Sequence, residues 1–199
     1  MHIAIEGMDG VGKTSTAKAL AEKLGLSFIE KPLHYILDDE GMRNYLKITA
    51  YINNNMGKEI TSAFYGLGNI YTSHIAKDKS IITDRHLASN YCWNSEEDNK
   101  DYFDYLVRIC GKPDYTIVLY ATGEKRKSRI YNRNPNDPDL INKSFNDSHY
   151  EKMIDFLKKY HMPYYVLDNG DLSLAETIES IISHLREVGV ITTLVKKDI

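Results

Sequence analysis

Residues 7–14 read Gly7-Met8-Asp9-Gly10-Val11-Gly12-Lys13-Thr14, which is the G-x-x-x-x-G-K-S/T pattern of a phosphate-binding loop. The apolar run at residues 2–5 before it suits a short buried strand. After it, apolar residues recur at i, i+3, i+4 and i+7 from Ala17, which predicts an amphipathic helix, and Gly25 is suited to end that helix. The loop is therefore expected between a strand and a helix, the context that this motif requires.

A loop of this kind binds phosphate mainly through its backbone. Glycines let successive N–H groups point inward and form an anion-binding nest, and the helix N-terminus adds partial positive charge. In this pattern the Lys13 ammonium reaches the β- and γ-phosphates of a nucleotide, and the Thr14 hydroxyl holds Mg²⁺. The loop residues predicted to bind the nucleotide are Gly7, Asp9, Gly10, Val11, Gly12, Lys13, Thr14 and Ser15.

The whole chain has the composition of an ordinary globular protein. Its 199 residues suit one α/β domain, 1–199, with enough chain for a sizeable core. A net charge of -3 argues against a dedicated nucleic-acid binder, which usually has a basic excess. Two cysteines that form no C-x-x-C pair fit a reducing cytosol, and the sequence has neither a signal-peptide layout nor an apolar run of membrane-spanning length. We expect a cytoplasmic protein that binds neither nucleic acid nor membranes.

Apolar runs alternate with helical patterns along the chain. Strands are predicted at about residues 2–5, 26–30, 80–83, 115–120 and 163–167. Further helices are predicted at about residues 42–52, 60–75, 87 onward, 102–110, 144–160 and 174–185, with a loop at 53–55. Five strands that alternate with helices predict a three-layer α/β fold, in which a five-stranded parallel sheet is flanked by helices. The sequence pattern predicts no particular structure for the tail at residues 189–199.

Charged pairs follow two of the predicted strands. Glu30-Lys31 ends the second strand, and Asp84-Arg85 ends the third. Because ligands of open α/β sheets gather outside the carboxyl ends of strands, both pairs should lie on the same edge as the phosphate-binding loop. The alternative for Asp84-Arg85 is a surface ion pair worth under about 1 kcal/mol.

The predicted helix at 60–75 has an apolar face interrupted by glycines. The apolar residues at helical spacing are Ile60, Phe64, Leu67, Tyr71 and Ile75. Gly66 and Gly68 lie inside this helix, where each costs about 1 kcal/mol relative to alanine. Two explanations remain open, namely close helix packing and room for a flat ligand beside Phe64. Two interpretations also remain for Trp93, which would either line the acceptor site or pack in the core.

A basic segment follows the fourth predicted strand. On a helix its arginines Arg126, Arg129 and Arg133 would share one face, at i, i+3 and i+7. Residues 134–139 include two prolines and cannot continue a helix. We interpret Arg126 to Asp139 as a mobile basic lid that extends to about residue 143, and a solvated run of charges is the alternative.

Two classes of phosphate-loop protein do not fit the sequence. A GTPase needs an Asn-Lys-x-Asp motif to read the base, and the Asn-Lys pairs at 99–100 and 142–143 lack its aspartate. A transport-type or helicase ATPase would normally be longer, with an apolar run that ends in a dedicated metal-binding acid. Here the acid Asp84 is followed by an arginine. Small kinases remain, and they suit the length and the basic lid.

The sequence resembles the thymidylate kinase family in landmarks spread over residues 3–185. Residues 6–14 are similar to that family's loop. Phe64 stands where the family has a helix phenylalanine that stacks on thymine. Residues 84–89 resemble its Asp-Arg-aromatic-x-x-Ser motif, and the spacing over residues 113–129 matches its entry into the lid.

This resemblance implies a P-loop kinase fold that uses ATP and Mg²⁺. It implies that the catalytic residues are Lys13, Asp9, Arg85 and a lid arginine, Arg133 or Arg126. It places Arg129 and Asn169 at the adenine, and Asp84 with Thr14 at the metal. The acceptor is expected to contact Asp9, Glu30, Lys31, Phe64, Arg85, Ser89 and Trp93. The resemblance also suggests a homodimer.

Two departures from the family pattern leave the acceptor open. The family usually has Arg-Glu-Pro after its second strand, where this chain has Glu30-Lys31-Pro32. It also has an arginine shortly after the stacking phenylalanine, and residues 66–69 contain none. We expect a (deoxy)nucleoside monophosphate acceptor, with dTMP the leading candidate. One alternative is a (deoxy)nucleoside kinase with Glu30 as general base, and another is a nucleotide-binding regulatory protein without turnover.

Overall fold

The computed structural model describes residues 1–141, 145 and 147–192. A sheet of five parallel strands runs through it, in the spatial order β2-β3-β1-β4-β5. The strands are β1 (His2–Gly7), β2 (Ser27–Glu30), β3 (Ile81–Asp84), β4 (Tyr115–Tyr120) and β5 (Tyr164–Asp168). The predicted α/β fold with a five-stranded parallel sheet is confirmed.

Helices connect the strands and cover both faces of the sheet. They are α1 (Lys13–Leu24), α2 (His34–Leu37), α3 (Arg43–Asn55), α4 (Lys58–Asp78), α5 (Leu87–Asn94), α6 (Lys100–Cys110), α7 (Gly123–Arg133), α8 (Ser148–Lys159) and α9 (Leu174–Glu187). Short 3₁₀ turns occupy Glu97–Asn99 and Pro138–Leu140. No helix of the described residues is both long enough and apolar enough to cross a bilayer.

Several predicted boundaries change in the structure. The predicted loop at 53–55 is wrong, because α3 continues to Asn55. The side-chain amide of Asn53 donates to the Tyr65 hydroxyl, and that of Asn55 donates to Tyr51 O. The short helix α2 was not predicted. The predicted start of a helix at residue 144 lies outside the described residues, and α8 is described from Ser148. In the tail, residues 193–199 also lie outside the described part.

Two apolar layers lie on opposite faces of the sheet. On the α1 and α9 side, the core includes Ile3, Ile5, Val11, Leu20, Ile117, Ile181 and Leu185. On the α5, α6 and α8 side, it includes Met8, Leu87, Phe103, Leu106, Val118, Met153 and Phe156. Burying one such side chain contributes about 1.5–3 kcal/mol. The central strand β1 is therefore fixed from both sides, and so is the loop that leaves it.

The helix α4 packs through small and polar residues rather than through its apolar face. Ile60 and Leu67 are both 52% exposed, while the buried positions include Gly66, Gly68 and Asn69. A Cβ at Gly66 would overlap the hydroxyl of Tyr102, and one at Gly68 would lie 3.2 Å from Pro32 Cγ. The packing explanation for the two glycines therefore holds, because they let neighbouring side chains approach the helix backbone.

Candidate active site

The phosphate-binding loop joins β1 to α1 as the sequence predicts. Gly10 has φ 81° and Gly12 has φ 97°, a left-handed conformation that glycine adopts without strain. Gly12 is also the N-cap of α1, and it offers no side chain to the first N–H groups of the helix. The first turn of α1 contains no acidic residue. This helix end is therefore suited to receive an anion.

The side chain of Lys13 closes the loop upon itself. Its Nζ donates to Met8 O at 2.8 Å and lies 3.7 Å from Asp9 Oδ1. Burial, together with the positive charge of Arg85, lowers the pKa of Lys13 to about 8. We expect a phosphate oxygen to replace the Met8 carbonyl as a partner of this ammonium, since a charged acceptor forms the stronger hydrogen bond.

Thr14 and Asp84 form an oxygen-lined site at the start of α1. The Thr14 hydroxyl donates to Asp84 Oδ2, and the other carboxylate oxygen, Oδ1, is buried without a partner among the described residues. Oxygen ligands of this kind fit Mg²⁺, which is bound through one or two protein groups together with substrate phosphates. No cluster of three or more His, Cys, Asp or Glu suited to a metal occurs in the described part of the chain. A magnesium ion held together with nucleotide phosphates does not need one.

The ends of β2 and β3 lie side by side at the same edge of the sheet. Glu30 is the register partner of Asp84, and Asp84 in turn faces Ile5 of β1. The next residues, Lys31 with φ 43° and Arg85 with φ 71°, are both left-handed although neither is glycine. Such conformations cost about 1–3 kcal/mol and cluster at functional sites. The structure therefore places both predicted charged pairs at the same edge of the sheet, and Asp84 and Arg85 contact the phosphate-binding loop and the start of α1 directly.

Asp9 connects the loop to the end of β3. The guanidinium of Arg85 donates to Asp9 Oδ1 and, at 3.4 Å, to Ser89 Oγ. Burial raises the pKa of Asp9, but the positive charges of Arg85 and Lys13 outweigh burial and hold that pKa below its ordinary value. The carboxylate is thus ionised between two cations, Lys13 of the phosphate-binding loop and Arg85 at the end of β3.

Aromatic rings gather around Phe64 on α4. The ring of Tyr45 lies 6.5 Å from it with an interplanar angle of 21°, and Tyr65 lies edge-on at 5.4 Å. Burial raises the pKa of Tyr45 to about 12, so its phenol stays protonated. Sequence reasoning missed Tyr45 and Tyr65. Asp38 was the one signal in the sequence that could have pointed to Tyr45, as an acidic residue placed to hold the start of a helix. Its carboxylate accepts from Asn44 N at 2.6 Å and from Tyr45 N at 2.9 Å and so anchors the start of α3.

Arg129 and Asn169 are tied to the backbone of the phosphate-binding loop. The Arg129 guanidinium donates to Val11 O at 3.2 Å, to Asn169 O at 2.7 Å and to Gly170 O at 3.2 Å. The Asn169 side chain donates to the same Val11 carbonyl at 2.9 Å. These bonds use the edge of the guanidinium, and its flat face remains suited to stacking on a ring.

The arginines of the predicted lid differ in their surroundings. Arg126 is fully buried, donates to Ala121 O at 3.1 Å and to Asp147 Oδ1 at 3.0 Å, and so anchors α7. Arg133 is exposed at the end of α7 and donates to Asp137 at 2.6 Å. Residues 123–133 form a helix that Arg126 fixes at its start, and the mobile lid over about residues 126–143 stays a prediction. The predicted lid residues 142 and 143 lie outside the described part of the chain.

Trp93 contacts residues of α8 and of the start of α4. Its ring lies 4.7 Å from that of His149, with an interplanar angle of 31°, and its carbonyl accepts from Lys58 Nζ at 2.8 Å. A role for Trp93 in binding the acceptor stays a prediction.

Comparison with known proteins finds a family model that covers most of this chain. The family model described as thymidylate kinase matches residues 5–181. A probable thymidylate kinase of Methanocaldococcus jannaschii is 22% identical over 94% of this chain and 97% of the relative. A probable thymidylate kinase of Thermoplasma acidophilum is 26% identical over 94% of this chain and 98% of the relative.

Solved structures show the same architecture. The thymidylate kinase of Candida albicans matches with a TM-score of 0.68 and 16% identity, covering 94% of this chain and 91% of that one. The deoxyadenosine kinase of M. mycoides with bound dATP matches with a TM-score of 0.64 and 22% identity, covering 94% and 100%. These likenesses establish the P-loop kinase fold, which the two kinases share although their names indicate different acceptors.

Proposed function

The chain belongs to the thymidylate kinase family, a family of phosphotransferases, and we propose that it transfers the γ-phosphoryl group of Mg-ATP to a (deoxy)nucleoside monophosphate, with dTMP the leading candidate. One observation carries this proposal. Asp9 of the phosphate-binding loop bonds directly to Arg85 at the end of β3, so the donor site and a cation suited to the acceptor phosphate are part of one cluster. Phosphoryl transfer depends mainly on such positioning and on charge neutralisation.

The donor nucleotide would lie along the loop and the start of α1. The loop N–H groups and Lys13 bind its phosphates, while the fixed guanidinium of Arg129 stacks against the adenine. Thr14 and Asp84 would hold Mg²⁺, which neutralises charge on the phosphates when it is bound. The orphan oxygen Oδ1 of Asp84 and the hydroxyl of Thr14 support this role.

The acceptor would lie between β3 and the aromatic cluster on α3 and α4. Arg85 binds its phosphate, with Lys31 as a second cation at the neighbouring strand end. Phe64 and Tyr45 pack against its base. We assign Arg133 as the lid arginine in preference to Arg126, because Arg133 is exposed and Arg126 is buried. When the lid closes, the guanidinium of Arg133 would leave Asp137 and bind an oxygen of the transferring phosphoryl group. A lid that closes over both substrates also excludes water, which would waste ATP.

The second candidate function is a (deoxy)nucleoside kinase with Glu30 as general base. The observation in its favour is the position of Glu30 beside Asp84 at the sheet edge. However, Lys31 Nζ lies 3.5 Å from Glu30 Oε2, and this cation offsets the repulsion between the carboxylate and an acceptor phosphate. The geometry therefore favours the monophosphate. A regulatory protein without turnover would bind ATP and phosphorylate no acceptor.

Glu30→Gln separates the two kinase reactions. A monophosphate acceptor is already ionised near pH 7 and needs no strong base, so we expect kcat with dTMP to stay within about threefold of wild type. Loss of a general base would lower turnover about 100- to 10,000-fold. Arg85→Met is the matched comparison, because it should raise the KM for dTMP while leaving the KM for ATP nearly unchanged. A large loss of kcat with dTMP in Glu30→Gln would contradict the proposal.

Family resemblance also supports a cytoplasmic homodimer as part of this proposal. Ile60 and Leu67 lie two turns apart on α4, and both are half-exposed, as expected for a face that a second copy would cover. Light scattering after size exclusion would test the dimer. Leu67→Glu should yield monomers, and Val188→Glu, a change at a similarly exposed apolar residue after α9, should not. A monomeric wild-type protein would refute this part.

A further inference from the structure

Glu6 is a buried carboxylate that the proposed chemistry does not use. It lies in β1 and is 1% exposed. Its Oε1 accepts from His86 N at 3.0 Å and from Ser89 N at 3.2 Å, and its Oε2 accepts from the Ser89 hydroxyl. All three donors belong to the residues that open α5, directly after Arg85.

These bonds replace a local helix cap. His86 is the N-cap of α5, and its side chain makes no capping bond. The first N–H groups of a helix have no partner within the helix, so a carboxylate from another element can satisfy them and also interacts well with the helix dipole. Glu6 therefore fixes the start of α5 to the central strand of the sheet.

The same bonds lead to the cation at the acceptor side of the cleft. The Ser89 hydroxyl that donates to Glu6 also accepts from Arg85 Nη1 at 3.4 Å. The backbone of Arg85 is left-handed, with φ 71°, and its N–H donates to Ile5 O at 2.9 Å. A continuous chain of hydrogen bonds thus joins Glu6, Ser89, Arg85 and Asp9.

The charge of Glu6 has a partner in the same cluster. Burial raises the pKa of Glu6, and bonds from Ser89 together with the charge of Arg85 act in the opposite direction. In return, Glu6 adds to the negative charge that raises the pKa of Arg85 against burial. Glu6 therefore adds to the negative charge of Asp9 and Asp84 around the partly buried guanidinium of Arg85, and it supports the charge as well as the geometry of the site.

We propose that Glu6 is a positioning residue for the acceptor phosphate. It holds the 85–89 segment on β1 so that the guanidinium of Arg85 stays against Asp9 beside the phosphate-binding loop. This role rests on the proposed function, because it assumes that Arg85 binds the acceptor phosphate. Glu6 itself touches neither substrate.

The test compares binding of the two substrates in variants of the full chain. In Glu6→Gln the amide NH₂ cannot accept from the Ser89 hydroxyl, and the negative charge is lost. A hydrogen bond to a charged group is worth enough that the KM and Kd for dTMP should rise about 10- to 100-fold, while those for ATP change less than about twofold. Ser89→Ala breaks the same chain without removing a charge and should shift the two substrates in the same selective way, by a smaller factor.

A matched control separates positioning from loss of stability. Leu185→Ala removes a fully buried side chain near the end of α9, away from the carboxyl edge of the sheet, and should lower Tm while leaving the ratio of the two KM values unchanged. Equal loss of affinity for dTMP and ATP in Glu6→Gln and in Ser89→Ala, or a fall in Tm alone, would overturn the proposal.

Isothermal titration with dTMP and with ATP keeps this test independent of turnover. A wild-type protein that binds dTMP but transfers no phosphoryl group would refute the proposed function, and the selective affinity loss in the two variants would still support the role of Glu6. If Glu6→Gln does not fold, Glu6→Asp decides the question, because it keeps the charge but is one methylene too short to hold both His86 N and Ser89, and it should weaken the binding of dTMP selectively. A wild-type protein that binds no monophosphate would overturn both proposals.

Discussion

Gly10 provides a quantitative test of how the phosphate-binding loop is packed. Its φ is +81°, and a Cβ there would lie 2.7 Å from Arg126 O and 2.9 Å from Ile130 Cδ1. Gly25 has a similar φ of +67° with no atom within 4 Å of an added Cβ. Alanine in this backbone region costs about 1–2 kcal/mol, and forcing atoms into a packed site costs about 1–3 kcal/mol more. Gly25→Ala therefore isolates the backbone cost, while Gly10→Ala carries both.

We expect urea unfolding to show a loss of about 1–2 kcal/mol for Gly25→Ala and about 2–5 kcal/mol for Gly10→Ala. Because the contact of 2.7 Å is with a backbone carbonyl of α7, that helix must shift, and Arg129 with it. Gly10→Ala should therefore also raise the KM for ATP, and Gly25→Ala should not. Comparisons of this kind resolve differences of about 0.5 kcal/mol. A smaller difference between the free energies of unfolding of the two variants would contradict the close packing of α7 against Gly10.

Two further predictions concern pH and the aromatic cluster. Burial lowers the pKa of His2 to about 4, so below its ordinary pKa of 6.5 the unfolded chain binds a proton that the folded chain does not. The free energy of unfolding should then be unaffected by His2 above about pH 6.5 and should fall by about 3 kcal/mol as the pH is lowered to 4. The fall is measurable by urea unfolding, and an equal fall in His2→Gln would contradict this origin. Tyr45→Leu and Phe64→Leu should each raise the KM for dTMP about 10- to 100-fold, the usual worth of stacking on a base, with little change in the KM for ATP. Steady-state kinetics with each substrate varied would show this, and an equal rise in both KM values would contradict it.

Local patterns in the sequence predicted the elements that bind phosphate. The strand, the loop and α1 follow from the glycine spacing and from an apolar stripe, and Gly25 ends the helix in the left-handed conformation as predicted. The prediction that Glu30 and Asp84 lie on the same edge of the sheet follows from a general property of parallel sheets, and their register confirms it. In these cases the chain segment itself carries the information.

Features that depend on neighbouring elements could not be predicted in this way. The apolar residues of α4 predict the side that packs, but Ile60 and Leu67 are half-exposed. Gly66 and Gly68 instead bring the helix backbone close to Tyr102 and to Pro32. Arg126 was predicted in a mobile lid because the prolines at 135 and 138 break the helix pattern beyond Arg133, and that local pattern does not show that Ala121 O and Asp147 accept hydrogen bonds from a buried Arg126. Tyr45 reaches Phe64 only through the packing of two helices.

The most direct test of the central claim is ADP release from Mg-ATP by the purified wild-type protein. The panel of acceptors is dTMP, dUMP, the other common nucleoside monophosphates, thymidine and the other nucleosides. We predict turnover with monophosphates, with dTMP among the best acceptors, and none with nucleosides. Turnover with nucleosides alone would contradict the claim and make Glu30 the general base, and the absence of turnover with every acceptor would contradict a nucleotide kinase altogether.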